Sequence, residues 1–115
     1  MKQIAKFDNA LCRGKTLEEQ GINRAMYEAY RKCLPFGYKY LNFEEVIWDK
    51  DIEPIVKACR RHKLTHITIS SNQCGLADVL WKFQQLGCTI EGVMMVQRAV
   101  YGCSMETAAV IVKIN

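Results

Sequence analysis

The hexapeptide Ser70-Ser71-Asn72-Gln73-Cys74-Gly75 holds the residue types best suited to chemistry in this chain of 115 residues. It follows an alternating apolar segment and precedes an amphipathic one, so it reads as a turn from strand to helix. Free backbone N–H groups and the positive end of a helix dipole favour an anion at such a turn. Open α/β sheets also tend to bind ligands at the carboxyl ends of their strands. Ser70, Ser71, Asn72 and Cys74 are therefore the candidate residues for an anion or small ligand. The same dipole favours a thiolate, which makes Cys74 the leading candidate for a reactive thiol. Against this, Ser and Asn are ordinary helix caps. The turn has one glycine and lacks the GK[ST] signature of a phosphate loop. Capping is the reading that these residues favour.

Metal chemistry is not expected. His62 and His66 are four apart, but Lys63 to Thr65 should form the turn between a helix and a strand, and no HExxH glutamate is present. The six cysteines, Cys12, Cys33, Cys59, Cys74, Cys88 and Cys103, include no CxxC pair. Cys33, Cys59 and Cys88 fall at apolar positions of expected elements, where a free thiol behaves as a small hydrophobe. The acidic cluster Glu44, Glu45, Asp49, Asp51 and Glu53 lacks the spacing of a calcium loop. No cofactor and no catalytic residue is expected, and the chain reads as a non-enzyme.

Two surfaces remain. Tyr38, Tyr40, Phe43 and Trp48 either pack in the core or form an aromatic patch of the kind found at protein interfaces. Tyr38, Tyr40, Trp48, Lys57 and Arg61 are the candidate protein-binding residues. The alternative is nucleic-acid binding through Lys50, Lys57, Arg60, Arg61 and Lys63, although cations that close a helix also complement its dipole. Net charge is +4 and the pI about 8.8, short of the value above 9 that marks nucleic-acid binders. The basic excess lies in the first 63 residues. Residues 64–115 carry three basic and three acidic groups.

These side chains need elements to position them. The segment Thr65 to Gly92 reads as strand, turn, helix, glycine stop and strand, a β-α-β unit whose strands should run parallel with a right-handed crossover. Thr107 to Ile114 is a further strand expected to return antiparallel, and Gln97 to Glu106 is expected to be a long loop. Two helices precede this unit. One runs from a capping box at Thr16–Glu19 to Cys33, and one from Ile52 to about His62 with Asp49 and Asp51 before it. Phe36 to Leu41 reads as a connector, Asn42 as a cap, and Lys2 to Phe7 as a candidate fourth strand. The expected architecture is a single α/β domain over residues 1–115. It has two layers, with a β-α-β unit, a C-terminal strand, and two N-terminal helices packed on a three- or four-stranded mixed sheet. No apolar run approaches the ~20 residues needed to span a bilayer, and no secretory signal is legible, so a cytoplasmic location is expected.

Taken in order, EEVIWDKDIEPIV, HITISS, CGLADVLWKFQQLGC and TIEG resemble a family of short uncharacterised bacterial proteins often carried by phages and other mobile elements. The resemblance covers roughly Tyr38 to Val96. A serine is usual in that family where this chain has Cys74, which argues against catalysis by that thiol, and the family offers no catalytic residues. It implies a small accessory protein that binds a host or element-encoded protein, such as a component of a defence system like CRISPR interference. Membrane contact is not expected, and a homodimer is compatible with the chain.

Overall fold

The structure is a computed structural model that describes residues 24–33 and 39–115. The Thr16–Glu19 capping box, the Lys2–Phe7 strand and Tyr38 lie outside the described residues.

Helix α1 (Arg24–Cys33) buries Met26, Ala29, Tyr30 and Cys33, the stripe expected from its spacing. Strand β1 (Leu41–Phe43) follows, then helix α2 (Asp49–Arg61) and strand β2 (His66–Ile69). Helix α3 (Leu76–Gln85) leads into two long strands, β3 (Thr89–Val100) and β4 (Cys103–Lys113). The sheet order is β1-β2-β4-β3, with β1 parallel to β2 and β4 antiparallel to both of its neighbours. This is the expected two-layer α/β domain, three helices and a four-stranded mixed sheet among the described residues.

The β2-α3-β3 unit runs in the expected sense, since both strands are antiparallel to β4. However, β4 sits between them, so the unit is split. The directly paired β-α-β unit is β1-α2-β2, which the sequence did not announce. Leu41 and Phe43 face the core with Ile67 and Ile69, while Asn42 points to the other side beside Thr68. Of the segment expected to be a connector, Leu41 opens the edge strand, and Asn42 lies within that strand rather than capping a turn. It is buried, donating from Nδ2 to Ser70 Oγ at 3.0 Å and accepting from Thr68 Oγ1 at 2.8 Å. Three buried polar side chains satisfy one another across two strands.

Two further expectations need correction. Gln97 to Glu106 is not a long loop. The ladder continues to Val100 and Cys103, and the reversal is made by Tyr101 and Gly102 alone, at φ +50° and +78°. Paired positive φ angles match the twist of the flanking strands, as in a type I′ turn. Helix α2 begins at Asp49 rather than Ile52, which moves Pro54 from the first turn to the second. There its missing N–H leaves the Lys50 carbonyl without a helical partner.

Helices α2 and α3 stop in the same way. Gly87 N–H bonds to Gln84 O and Cys88 N–H to Phe83 O, with Gly87 at φ +93°, a Schellman stop. At the end of α2, Lys63 N–H bonds to Arg60 O and Leu64 N–H to Cys59 O, with Lys63 at φ +59°. A lysine therefore holds a position that glycine occupies at less cost.

Candidate protein-contact site

Strands β1 and β2 are parallel, so their carboxyl ends open onto one edge of the sheet. Two loops leave that edge for the N-termini of α2 and α3, Glu44–Trp48 and Ser70–Gly75. Gln73 joins them. Its Oε1 accepts the Ile47 N–H at 2.8 Å and its Nε2 donates to the Ile47 carbonyl at 3.1 Å. Ser71 Oγ donates to the same Oε1 at 3.0 Å. The Gln73 amide thus takes the place of a missing strand neighbour for Ile47 and fixes the loop on both sides of a buried apolar anchor.

That clamp holds the next residue outward. Trp48 precedes α2, makes no side-chain cap bond and is 63% exposed. With half-exposed Val46 it borders a cleft of about 320 Å³ whose apolar floor includes Ala25, Ala29 and Phe43. The rim carries both signs of charge, Arg24, Lys32 and Lys50 against Glu28, Glu44, Glu45 and Asp51. Lys32 bridges Glu44 at 3.4 Å and also pairs with Glu45. Burial opposes the charge on Lys32, but Glu45 and then Glu44 outweigh it and hold its pKa above the ordinary value.

Trp48 also borders a second cleft of about 450 Å³ on the side of Ser70–Gly75, lined in part by Gln73, Cys74 and Asp78. Of the expected ligand residues Cys74 lines this cleft, whereas Ser70, Ser71 and Asn72 line another of about 380 Å³ with Leu76, Val93 and Arg98. Ser70 and Ser71 are buried, with hydroxyls bonded to Asn42 and Gln73, while Asn72 and Cys74 are exposed. The capping reading is corrected here. Gly75 is the N-cap of α3, in left-handed conformation, and no side chain caps the helix. No histidine lines the cleft beside Cys74. Both helix N-termini carry their own carboxylates in the first turn, Asp49 and Asp51 on α2 and Asp78 on α3.

The other expected contact residues are not brought together. Tyr40 is half-buried and stacks on His66 with ring centroids 4.8 Å apart. Lys57 is exposed and pairs with Glu53 at 3.1 Å. Lys50 and Arg61 are exposed on the same outward face of α2, and Lys63 forms the turn beyond it. Arg60 serves the fold, donating from Nε to the Asn115 carbonyl at 2.8 Å and from an Nη to the Leu86 carbonyl at 2.6 Å. Those bonds tie α2 to the C-terminal segment and to the end of α3.

Burial favours the protonated form of the buried thiols. Burial pushes Cys33 up to about 11 and Cys59 up to about 12, and it raises Cys88 as well. Among the described residues no three His, Cys, Asp or Glu side chains converge to hold a metal ion. Among them also, no helix is long and apolar enough to cross a membrane.

A family model for a domain of unknown function, DUF7698, matches residues 25–111, which include both loops and the Trp48 cleft. The chain belongs to the DUF7698 family. No curated protein and no solved structure matches it significantly. Membership of an uncharacterised family agrees with the resemblance drawn from the sequence. Within this DUF7698 domain, sequence reasoning selected Trp48 but missed Val46 and Gln73. The available signal was the short run Val46-Ile47-Trp48, three apolar residues ahead of a helix start, too many for one side to bury.

Proposed function

We propose that this domain is a non-catalytic binding module that docks on a protein partner through the cleft beside Trp48. One observation carries the reading: a tryptophan 63% exposed on a loop that the Gln73 amide bonds on both sides of the preceding residue. Ordering an exposed aromatic before binding lowers the entropy lost on association, and tryptophan is enriched among the residues that dominate interface energetics. The apolar floor of Ala25, Ala29 and Phe43 suits an apolar side chain of the partner. The mixed-charge rim suits its polar flanks and excludes a large single-sign field. The resemblance to short proteins of phages and mobile elements supports an accessory role, of which the narrowest form is inhibition of a host defence system such as CRISPR interference.

The test is capture of partners from host lysate by the full chain and by Trp48→Ala at several salt concentrations. A specific partner retained by the wild type and lost by the variant is the expected result. If no specific partner is recovered at any salt, the proposal fails.

Nucleic-acid binding is the second reading, favoured by the shared outward face of Lys50, Lys57 and Arg61. Arg60 is committed to two carbonyls and Lys57 to Glu53, while Lys50, Arg61 and Lys63 are exposed. It requires an affinity that falls steeply with salt, and a gel shift with no binding at low salt removes it.

A further inference from the structure

Strand β3 is the last strand of the sheet, and among the described residues nothing pairs with its outer edge. It runs for 12 residues. Proteins blunt such edges with lysines, prolines or short strands, yet β3 has none of these. Its charged residues are Glu91 and Arg98, with Gly92 to Gln97 uncharged between them. Val93 is 65% exposed and Met95 54% exposed, both on the helix-bearing face, Val93 bordering a cleft shared with Leu76 of α3. Strand β2 pairs with β4 only over Val110–Lys113, so farther out the sheet narrows to the β3-β4 ribbon. Two strands alone are marginal in water; three or more with an apolar face are stable.

We propose that a second copy of this chain occupies the β3 edge, antiparallel, about a two-fold axis through Met95. An axis normal to the sheet keeps each residue on its own face, so facing residues must alternate in step. Met95 then meets its own counterpart, Val93 faces Gln97, Met94 faces Val96, and Gly92 faces Arg98 of the second copy. The bulge in β3 makes this register electrostatically complementary. Glu91 is the extra residue between Ile90 and Gly92, and it points to the His66 side, with its Oε1 2.7 Å from His66 Nε2. Arg98 leaves the backbone in step with Gly92, and in the single chain its side chain lines a cleft with Ser70, Ser71 and Asn72, from which it must turn to the strand edge on pairing. Each Arg98 therefore arrives beside a Glu91, twice per dimer. Space is ready for it, since a Cβ placed on Gly92 would meet no atom within 4 Å. The exposed Val93 and Met95 side chains of the two copies form one apolar strip, and the two sheets become one of eight strands.

The test uses charge reversal in the full chain, read as mass in solution by light scattering. Wild type is expected at twice the chain mass at high micromolar concentration. Arg98→Glu and Glu91→Lys are each expected to halve that mass, because each sets like charges against each other. Mixing the two variants is expected to restore the dimer, since each reversed residue then meets its opposite. Met95→Lys, which faces its own copy across the axis, is expected to be monomeric even in the mixture. Circular dichroism shows whether each variant is folded, and Met95→Lys tests the axis without touching the His66 contact. A wild type monomeric throughout, a dimer that survives both reversals, or folded variants that stay monomeric when mixed would each overturn the proposal.

Discussion

The hydroxyl of Thr68 donates to the side-chain carbonyl of Asn42 at 2.8 Å, both residues being buried on neighbouring parallel strands. Asn42 passes the interaction on to Ser70. Removing one member leaves a buried polar atom without its partner, which costs about 1–3 kcal/mol. Thr68→Val should therefore lower stability by that amount in urea denaturation, although the side chain keeps its shape. Thr68→Ser, which keeps the donor, should lose less.

Gln73 offers a second measurement. Gln73→Leu keeps bulk but strands both the N–H and the carbonyl of Ile47. A loss of about 1–3 kcal/mol is expected for the buried groups left unmade. Trp81, the chain's other tryptophan, is also exposed, so in a Trp81→Phe background fluorescence anisotropy should report a looser Trp48. The same variant should weaken capture of the partner without removing any side chain from the cleft floor.

Much of this was legible beforehand, and the omissions have physical causes. The apolar stripes of α1 and α2, the glycine stop of α3 and the alternation in β2 are local patterns, and each formed as read. Strand β1 has three residues, too few for the alternation of Leu41, Asn42 and Phe43 to stand out as a periodicity. Its identity depends on pairing with β2, more than 20 residues away in sequence. The Tyr101–Gly102 turn has tyrosine at its first left-handed position, where asparagine or aspartate would have signalled a hairpin. Of the expected site, Trp48 was found by type. The clamp that displays it was not, because a glutamine that mimics backbone has no spacing signature.

The two Schellman stops predict opposite outcomes. Lys63 is held at φ +59°, so Lys63→Gly should raise stability by about 1 kcal/mol, the usual cost of left-handed backbone for a residue with a Cβ. Gly87 is at φ +93°, and an added Cβ would lie 3.3 Å from the Arg60 guanidinium. Gly87→Ala should lower stability by more than about 1 kcal/mol and weaken the Arg60 staple. Thermal denaturation of both variants settles the pair.

Cys33 sets a limit at high pH. Its pKa stands at about 11 in the fold against 9.0 when unperturbed, because burial disfavours the thiolate. The unfolded chain therefore loses this proton first. The stabilisation is fully present below pH 9 and is lost as pH rises toward 11, on the order of 3 kcal/mol for a shift of that size. Cys59, at about 12, extends the loss further. Denaturation midpoints should be flat to about pH 9 and then fall, and Cys33→Ala should flatten the early part of that fall. Alkylation with peptide mapping at neutral pH should modify exposed Cys74 and Cys103 well before Cys33, Cys59 and Cys88.

The tight turn at Tyr101 and Gly102 also imposes an order in time. It joins the two longest strands across two residues, so their ladder can close within microseconds of collapse. Pairing of β2 with β4 must bridge about 40 residues, and loop closure of that span is slower. The ribbon is thus expected to close before the rest of the sheet, which pulse-labelling hydrogen exchange would show as earlier protection in β3 and β4 than in β2. During that interval both of its edges are open to whatever strand is nearest, including another nascent copy.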